Sequence, residues 1–254
     1  MAVSLNGSSD YVAVTISNLW NLIQFPSWTS AFWFNAAALP SAGNYAGLLW
    51  PSGALINAVY LKDSGQLAVY GFPGGWASDP ITGFTASTNT WYHVCMTSTN
   101  GGTAYLYING AVLKSGASAA NVGAFNSGAI FYFGQDAGSP PRFLNGRLAE
   151  FAFWREQLSA TEVLSLAMGA RAQLIRPKTS LGNWALDGYG GGLAFDRSVY
   201  VQNGVINGAK LAPGPPFIST APVLSPMPSP SNVMPAAFFT MVPPSVMMMG
   251  QIQL

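Results

Sequence analysis

From Tyr11 to Trp154 the chain alternates short apolar runs with clusters of Gly, Pro, Asn and Ser. The runs Tyr11–Ile16, Ala31–Phe34, Ala58–Leu61, Gln66–Tyr70, Trp91–Thr97, Thr103–Ile108, Ala129–Phe133 and Arg147–Trp154 predict strands. Each is short, rich in aromatic or β-branched residues and bounded by turn formers. Strands at this spacing predict a sandwich or a barrel. Asn109-Gly110 lies between two apolar runs and predicts a type I′ hairpin, whose two central residues need the positive φ that Asn and Gly tolerate best. Lys62-Asp63-Ser64-Gly65 predicts a second turn of the same kind.

One segment has helical punctuation. In Leu158-Ser159-Ala160-Thr161-Glu162-Val163 the Ser159 hydroxyl can accept from the Glu162 amide while the Glu162 carboxylate reaches back, a capping box. Leu158 and Val163 fit the accompanying hydrophobic staple. The helix is expected from Ala160 to about Met168, ending at Gly169. A further apolar, Gly-rich stretch runs from Leu181 to Leu211. From Leu211 to Leu254 there is no charged side chain, and ten prolines and six methionines appear. Proline biases such a segment toward extended geometry, so it reads as an arm rather than a helix or a central strand.

Composition sharpens the picture through its lack of charge. Only 7% of residues are Asp, Glu, Lys or Arg, against about 25% in a typical domain. The formal net charge of +1 gives little colloidal repulsion, which points to a surface that works against other protein. Ten scattered basic residues exclude a nucleic-acid footprint. No apolar run reaches the ~18 residues of a membrane-spanning helix, so no membrane partner is expected. The opening Met-Ala-Val-Ser-Leu-Asn-Gly has no leader-like n- or h-region, and cytoplasmic synthesis is the expectation. Cys95 is the one cysteine, so no intrachain disulfide can form.

Several pieces resemble, in order, those of a LamG-like (concanavalin A-like lectin/glucanase) domain. Ser4-Leu5-Asn6-Gly7-Ser8-Ser9-Asp10-Tyr11-Val12 resembles its first strand, and Trp28-Thr29-Ser30-Ala31-Phe32-Trp33-Phe34 its second. Trp91-Tyr92-His93-Val94 with Tyr105-Leu106-Tyr107-Ile108-Asn109-Gly110 resembles its tryptophan-led strand and hairpin. Phe143-Leu144-Asn145-Gly146-Arg147-Leu148-Ala149-Glu150-Phe151, Trp154 and Leu158–Glu162 resemble the closing strand and helix. Ala149 stands where the family often has Asp. The resemblance implies an all-β fold: a two-sheet antiparallel jelly-roll sandwich with one short helix, here followed by an extended C-terminal arm. The expected domains are residues 1–176 for the LamG-like domain, 177–212 for an extension packed on the sandwich, and 213–254 for the Pro/Met-rich arm. Residues Trp184-Ala185-Leu186-Asp187-Gly188, Asp196-Arg197-Ser198 and Pro213-Gly214-Pro215-Pro216 resemble, more loosely, a segment behind LamG-like domains in tailed-phage virion proteins.

Candidate chemistry is sparse. Family glucanases use an acidic cluster of the form Glu-x-Asp-x-x-Glu, whereas the three glutamates here, Glu150, Glu156 and Glu162, form none. His93 and Cys95 share one face of a strand, the spacing of a Cys–His pair, but both fit a buried strand and are read as structural. Asp136, with Asp10 behind it, is the best oxygen ligand for calcium; an isolated loop Asp more often serves a turn, and neither a metal nor a cofactor is expected. Trp76, placed in a loop, is the candidate sugar-stacking residue among eight Trp and ten Tyr. Phe217, Met234, Phe238, Phe239, Val242, Met247 and Met248 are the candidate partner-binding residues of the arm. The expected function is non-enzymatic: a virion protein that decorates or cements a capsid, made in the host cytoplasm. It is expected to self-associate or to contact the major capsid protein through the arm. The alternative is a lectin-like module that binds a glycan on a phage or cell surface.

Overall fold

The computed structural model describes residues 1–16, 26–52, 58–72, 76–78, 81–117, 128–136, 138–187 and 192–216; for 70–72 and 76–78 it describes the backbone alone. The described strands are β1 (Ala2–Asn6), β2 (Tyr11–Thr15), β3 (Ser27–Ala36), β4 (Tyr45–Pro51), β5 (Ala58–Lys62), β6 (Leu67–Phe72), β7 (Trp76–Ser78) and β8 (Trp91–Thr99). They continue as β9 (Thr103–Ile108), β10 (Ala111–Ala117), β11 (Ile130–Phe133), β12 (Asn145–Trp154), β13 (Ser180–Trp184), β14 (Leu193–Ala194), β15 (Gly204–Asn207) and β16 (Lys210–Ala212). Helix α1 (Ala160–Ala167) is the one α-helix among the described residues. Two eight-stranded antiparallel sheets form the sandwich. Sheet A runs β10-β9-β8-β3-β12-β1-β16, with β13 also on β12; sheet B runs β14-β15-β2-β11-β4-β5-β6-β7.

Period-two alternation places the core between the sheets. Val3 and Leu5 of β1, Phe32 and Phe34 of β3, and Phe151 and Phe153 of β12 face Val12 and Val14 of β2 and Phe131 and Phe133 of β11. Three phenylalanines bridge the layers: Phe151 stacks on Phe32 at 4.6 Å and on Phe133 at 3.9 Å between ring centroids. Truncating a phenylalanine in such a core costs about 3–5 kcal/mol.

Local chemistry acts as expected at two points. Asn109 (φ +50°) and Gly110 (φ +82°) close the β9–β10 hairpin, and the Asn109 side chain accepts from the His93 amide at 2.9 Å. The Ser159–Glu162 capping box is formed, with Leu158 and Val163 buried in one cluster, and Gly169 takes φ +96° just past α1. α1 covers the outer face of sheet A over Ala31, Cys95, Tyr107 and Trp154.

The remaining differences arise from chain breaks in the pattern. The opening segment, which resembles one strand, is two: β1 lies in sheet A and β2 in sheet B. Gly7 (φ +77°) turns the chain, and Asn6 Oδ1 accepts from the amides of Ser8, Ser9 and Asp10, so the crossing is self-capped. Trp76, expected in a loop, opens edge strand β7, its backbone in register with Phe72 of β6. The extension after Arg176 supplies strands to both sheets: β13 and β16 to sheet A, β14 and β15 to sheet B. Asp196 ties this segment together, accepting from the amides of Asn183, Ser198 and Gln202, each at 2.8 Å.

Candidate functional site

The outer face of sheet B carries aromatic side chains where alternation alone requires only polar ones. Inward residues of β4 and β5, Leu49, Val59 and Leu61, belong to the core. Their outward neighbours Tyr45, Trp50, Ala58 and Tyr60 form a second apolar layer on the far face. Tyr60 meets Tyr45 at 5.9 Å and Trp50 at 5.8 Å, both edge-to-face. Further along, Tyr11 of β2 meets Tyr132 of β11 at 5.9 Å and Phe143 at 6.3 Å.

These two aromatic groups border a cleft at the loop end of the sandwich. The β1–β2 turn contributes Ser8, the β3–β4 loop Ser41 and Asn44, β4 contributes Tyr45, and the β11–β12 loop Arg142 and Phe143. The cleft encloses about 540 Å³, and a second hollow of about 330 Å³ adjoins it at Asn44, Pro140 and Arg142. Both volumes fall in the range of small-ligand sites, roughly 300–1,000 Å³.

Arg142 is held from two directions. Its Nε donates to Asp136 Oδ2 at 2.6 Å, Nη2 pairs with the same carboxylate, and its own amide donates to Asp136 Oδ1 at 2.8 Å. The guanidinium carbon lies 5.2 Å from the ring centres of both Tyr45 and Tyr60, within cation–π range. Burial opposes the charged form of Arg142, but its hydrogen bond to Asp136 together with the charge of that carboxylate and the neighbouring tyrosines outweighs it, so its pKa is raised. Lys62 Nζ stands 4.9 Å from the Tyr45 ring centre and donates to its hydroxyl at 3.3 Å. Gly47 permits the arrangement: a Cβ there would sit 2.5 Å from the Asp136 amide nitrogen and closer still to the Gln135 carbonyl carbon. Only glycine lets the 134–143 loop cross β4 so closely. The site thus presents aromatic faces, a fixed guanidinium and small hydroxyl and amide groups, the chemistry that stacks on sugar rings and hydrogen-bonds their oxygens.

The carboxylates are placed elsewhere. Asp136, the calcium candidate, is fully buried and bound to Arg142; Asp10 accepts from the Asn6 amide at 3.2 Å within its own turn. Glu156 and Glu162 both bind Arg176, at 2.7 and 2.6 Å. That contact holds the Glu162 carboxyl down at about 2. Glu150 occupies a bulge of β12 with φ +52°, 3.6 Å from Arg171, and burial raises its pKa. Among the described residues no group of three or more His, Cys, Asp or Glu is arranged to hold a metal. Cys95 is fully buried beneath α1, and His93 is buried against the Trp33 ring. Burial lowers the imidazole pKa to about 3 and pushes the thiol up, so the pair is neutral and has no thiolate nucleophile.

The side chain of Trp76, and Phe217, Met234, Phe238, Phe239, Val242, Met247 and Met248, lie outside the described residues. Tyr45, Trp50, Tyr60, Arg142 and Phe143 were not distinguished by sequence reasoning. The signal available was the loop sequence Pro140-Pro141-Arg142-Phe143, a cation and an aromatic after two residues with restricted φ.

Comparison with known proteins follows the same architecture. Residues 6–164 match the family described as the concanavalin A-like lectin/glucanases superfamily. No curated protein sequence matches the chain. Among solved structures, a candidate carbohydrate binding protein from Bacteroides ovatus is similar with a TM-score of 0.58 and 18% identity, over 83% of this chain and 60% of that one. The chain therefore spans less than two thirds of that protein's length. A heptameric SAP-like pentraxin from Limulus polyphemus gives a TM-score of 0.47 and 18% identity over 65% of this chain and 81% of that one. A Trypanosoma rangeli sialidase variant with trans-sialidase activity gives 0.44 and 18% over 56% and 22%.

Proposed function

The chain belongs to the concanavalin A-like lectin/glucanases superfamily, and from that premise we propose that it is a carbohydrate-binding module whose site is the Tyr45–Arg142–Phe143 cleft. One observation carries the reading: a guanidinium fixed by a buried carboxylate and two tyrosine rings opens on a cleft edged by Phe143 and Tyr45. Preorganisation of this kind lowers the ordering cost of binding a flexible, hydroxyl-rich ligand. The similarity to the Bacteroides ovatus protein supports it at the level of fold. Binding without turnover is the reading of the carboxylates, since Glu156 and Glu162 are held by Arg176 and no acidic pair lines the cleft among the described residues. A glycan array tests it. The full chain is expected to bind a subset of glycans, and Phe143→Ala to weaken binding at least about tenfold, the scale of one lost stacking contact. Binding that survives Phe143→Ala and Tyr45→Ala unchanged would remove the cleft from the account.

A second reading, assembly onto other protein subunits such as those of a viral capsid, is favoured by a separate observation. Leu193, Phe195, Val199, Val201 and Val205 are 38–73% exposed within one short stretch of chain. Apolar exposure of that density marks protein-contact surfaces, and the uncharged segment 213–254 fits the same use. Light scattering over a concentration series tests it, with Val199→Asp and Val201→Asp expected to abolish any association seen for the wild type.

A further inference from the structure

We infer that the ligand of this cleft is an acidic glycan, one whose sugar units carry carboxylates; the inference rests on the carbohydrate-binding reading above. Neutral sugar hydroxyls both donate and accept, so sites for them offer acceptor carboxylates beside donors. The lining of this cleft has no carboxylate; besides hydroxyl and amide groups it offers a cation. Arg142 is the one Lys, Arg, Asp or Glu among its lining residues. The carboxylate behind it, Asp136, has 1% side-chain exposure, and each of its oxygens already accepts: Oδ1 from the amides of Arg142 and Gly138, Oδ2 from the Arg142 side chain.

The way Arg142 is held selects the ligand's geometry. Its Nε and one N–H of Nη2 turn inward to Asp136. A guanidinium has five N–H groups, so both N–H groups of Nη1 and the second of Nη2 remain. Nη1 has no hydrogen bond among the described residues. That Nη1/Nη2 end is a planar fork, the shape that two carboxylate oxygens fill. With 36% side-chain exposure the fork reaches solvent, while Tyr45 and Tyr60 prevent the side chain from swinging away. Phe143 lies beside it in the lining to take the face of the same sugar ring.

The test is affinity gel electrophoresis of the full chain in gels containing polygalacturonate, alginate, hyaluronan or polysialic acid. Each is compared with its methyl ester and with neutral β-glucan, xylan and mannan. The expected result is retardation by at least one free acid, lost on esterification. Arg142→Gln and Arg142→Lys should both weaken it about 10- to 100-fold, the range of a charge-assisted hydrogen bond; the second variant keeps the charge but lacks the fork. Because the ester comparison alters only the ligand, it stands even if a variant folds poorly. Equal retardation by acid and ester, or retardation by neutral polymers alone, overturns the acidic ligand and leaves carbohydrate binding in place. No retardation by any polymer, acidic or neutral, overturns both.

Discussion

Replacing His93 by leucine is expected to remove most of the protein's sensitivity to mild acid. The imidazole is 1% exposed, its ring lies 5.2 Å from that of Trp33, and Nδ1 has no hydrogen-bond partner among the described residues. Burial lowers its pKa from 6.5 to about 3. A depressed histidine pKa means that the unfolded chain takes up a proton the folded chain refuses. The contribution to stability is therefore complete above pH 6.5 and is lost as pH falls toward 3. Between pH 7.5 and 5 the unfolded state gains about 2 kcal/mol from this one group, at 1.36 kcal/mol per pH unit below its unfolded pKa. Glu150 acts with opposite sign, because its raised pKa makes the folded state the better proton acceptor as pH falls. It is common to both proteins and cancels in their comparison. Urea unfolding of wild type and His93→Leu at the two pH values measures the difference. The wild type should lose about 2 kcal/mol more than the variant over this interval. Equal losses would show that His93 is protonated in the fold or accessible to solvent, and would refute its assignment to a sealed position beside Trp33.

Two further substitutions probe the site and the frame separately. Gly47→Ala forces a methyl against the backbone of Gln135 and Asp136, which cannot rotate away; it should destabilise by about 1–3 kcal/mol and weaken glycan retention together, read by urea unfolding and by affinity electrophoresis. Ser159→Ala removes the acceptor of the Glu162 amide from the capping box; it should lower stability by about 1 kcal/mol while leaving glycan retention unchanged.

What could be read in the sequence is what depends on neighbours along the chain. Asn109-Gly110 and Ser159–Glu162 each complete their hydrogen bonds or backbone angles within a few residues, so sequence alone places the hairpin and the helix. The strand runs were legible because Val12, Val14, Phe32 and Phe34 alternate strictly into the core. β4 was not, because Gly47 and Pro51 interrupt its apolar run and a register shift between Gly47 and Leu49 breaks the alternation. The site was lost with it. Beyond its local partner Asp136, Arg142 is held by Tyr45 and Tyr60, which are distant in sequence and reach it through the pairing of β4 with β5. Likewise β14 and β16 are two and three residues long, too short to carry a period of their own, and exist through pairing with β15 and β1. Asp136 was singled out for its oxygens; its actual partner, the Arg142 guanidinium six residues on, takes the place a cation would have had.

The most direct test of the cleft as the ligand site is hydrogen exchange followed by mass spectrometry, with and without the polysaccharide that most retards the protein. Slowed exchange confined to peptides covering residues 7–8, 41–45 and 138–143 is the predicted result. Protection that leaves these segments unchanged and falls instead on residues 193–205 would contradict it.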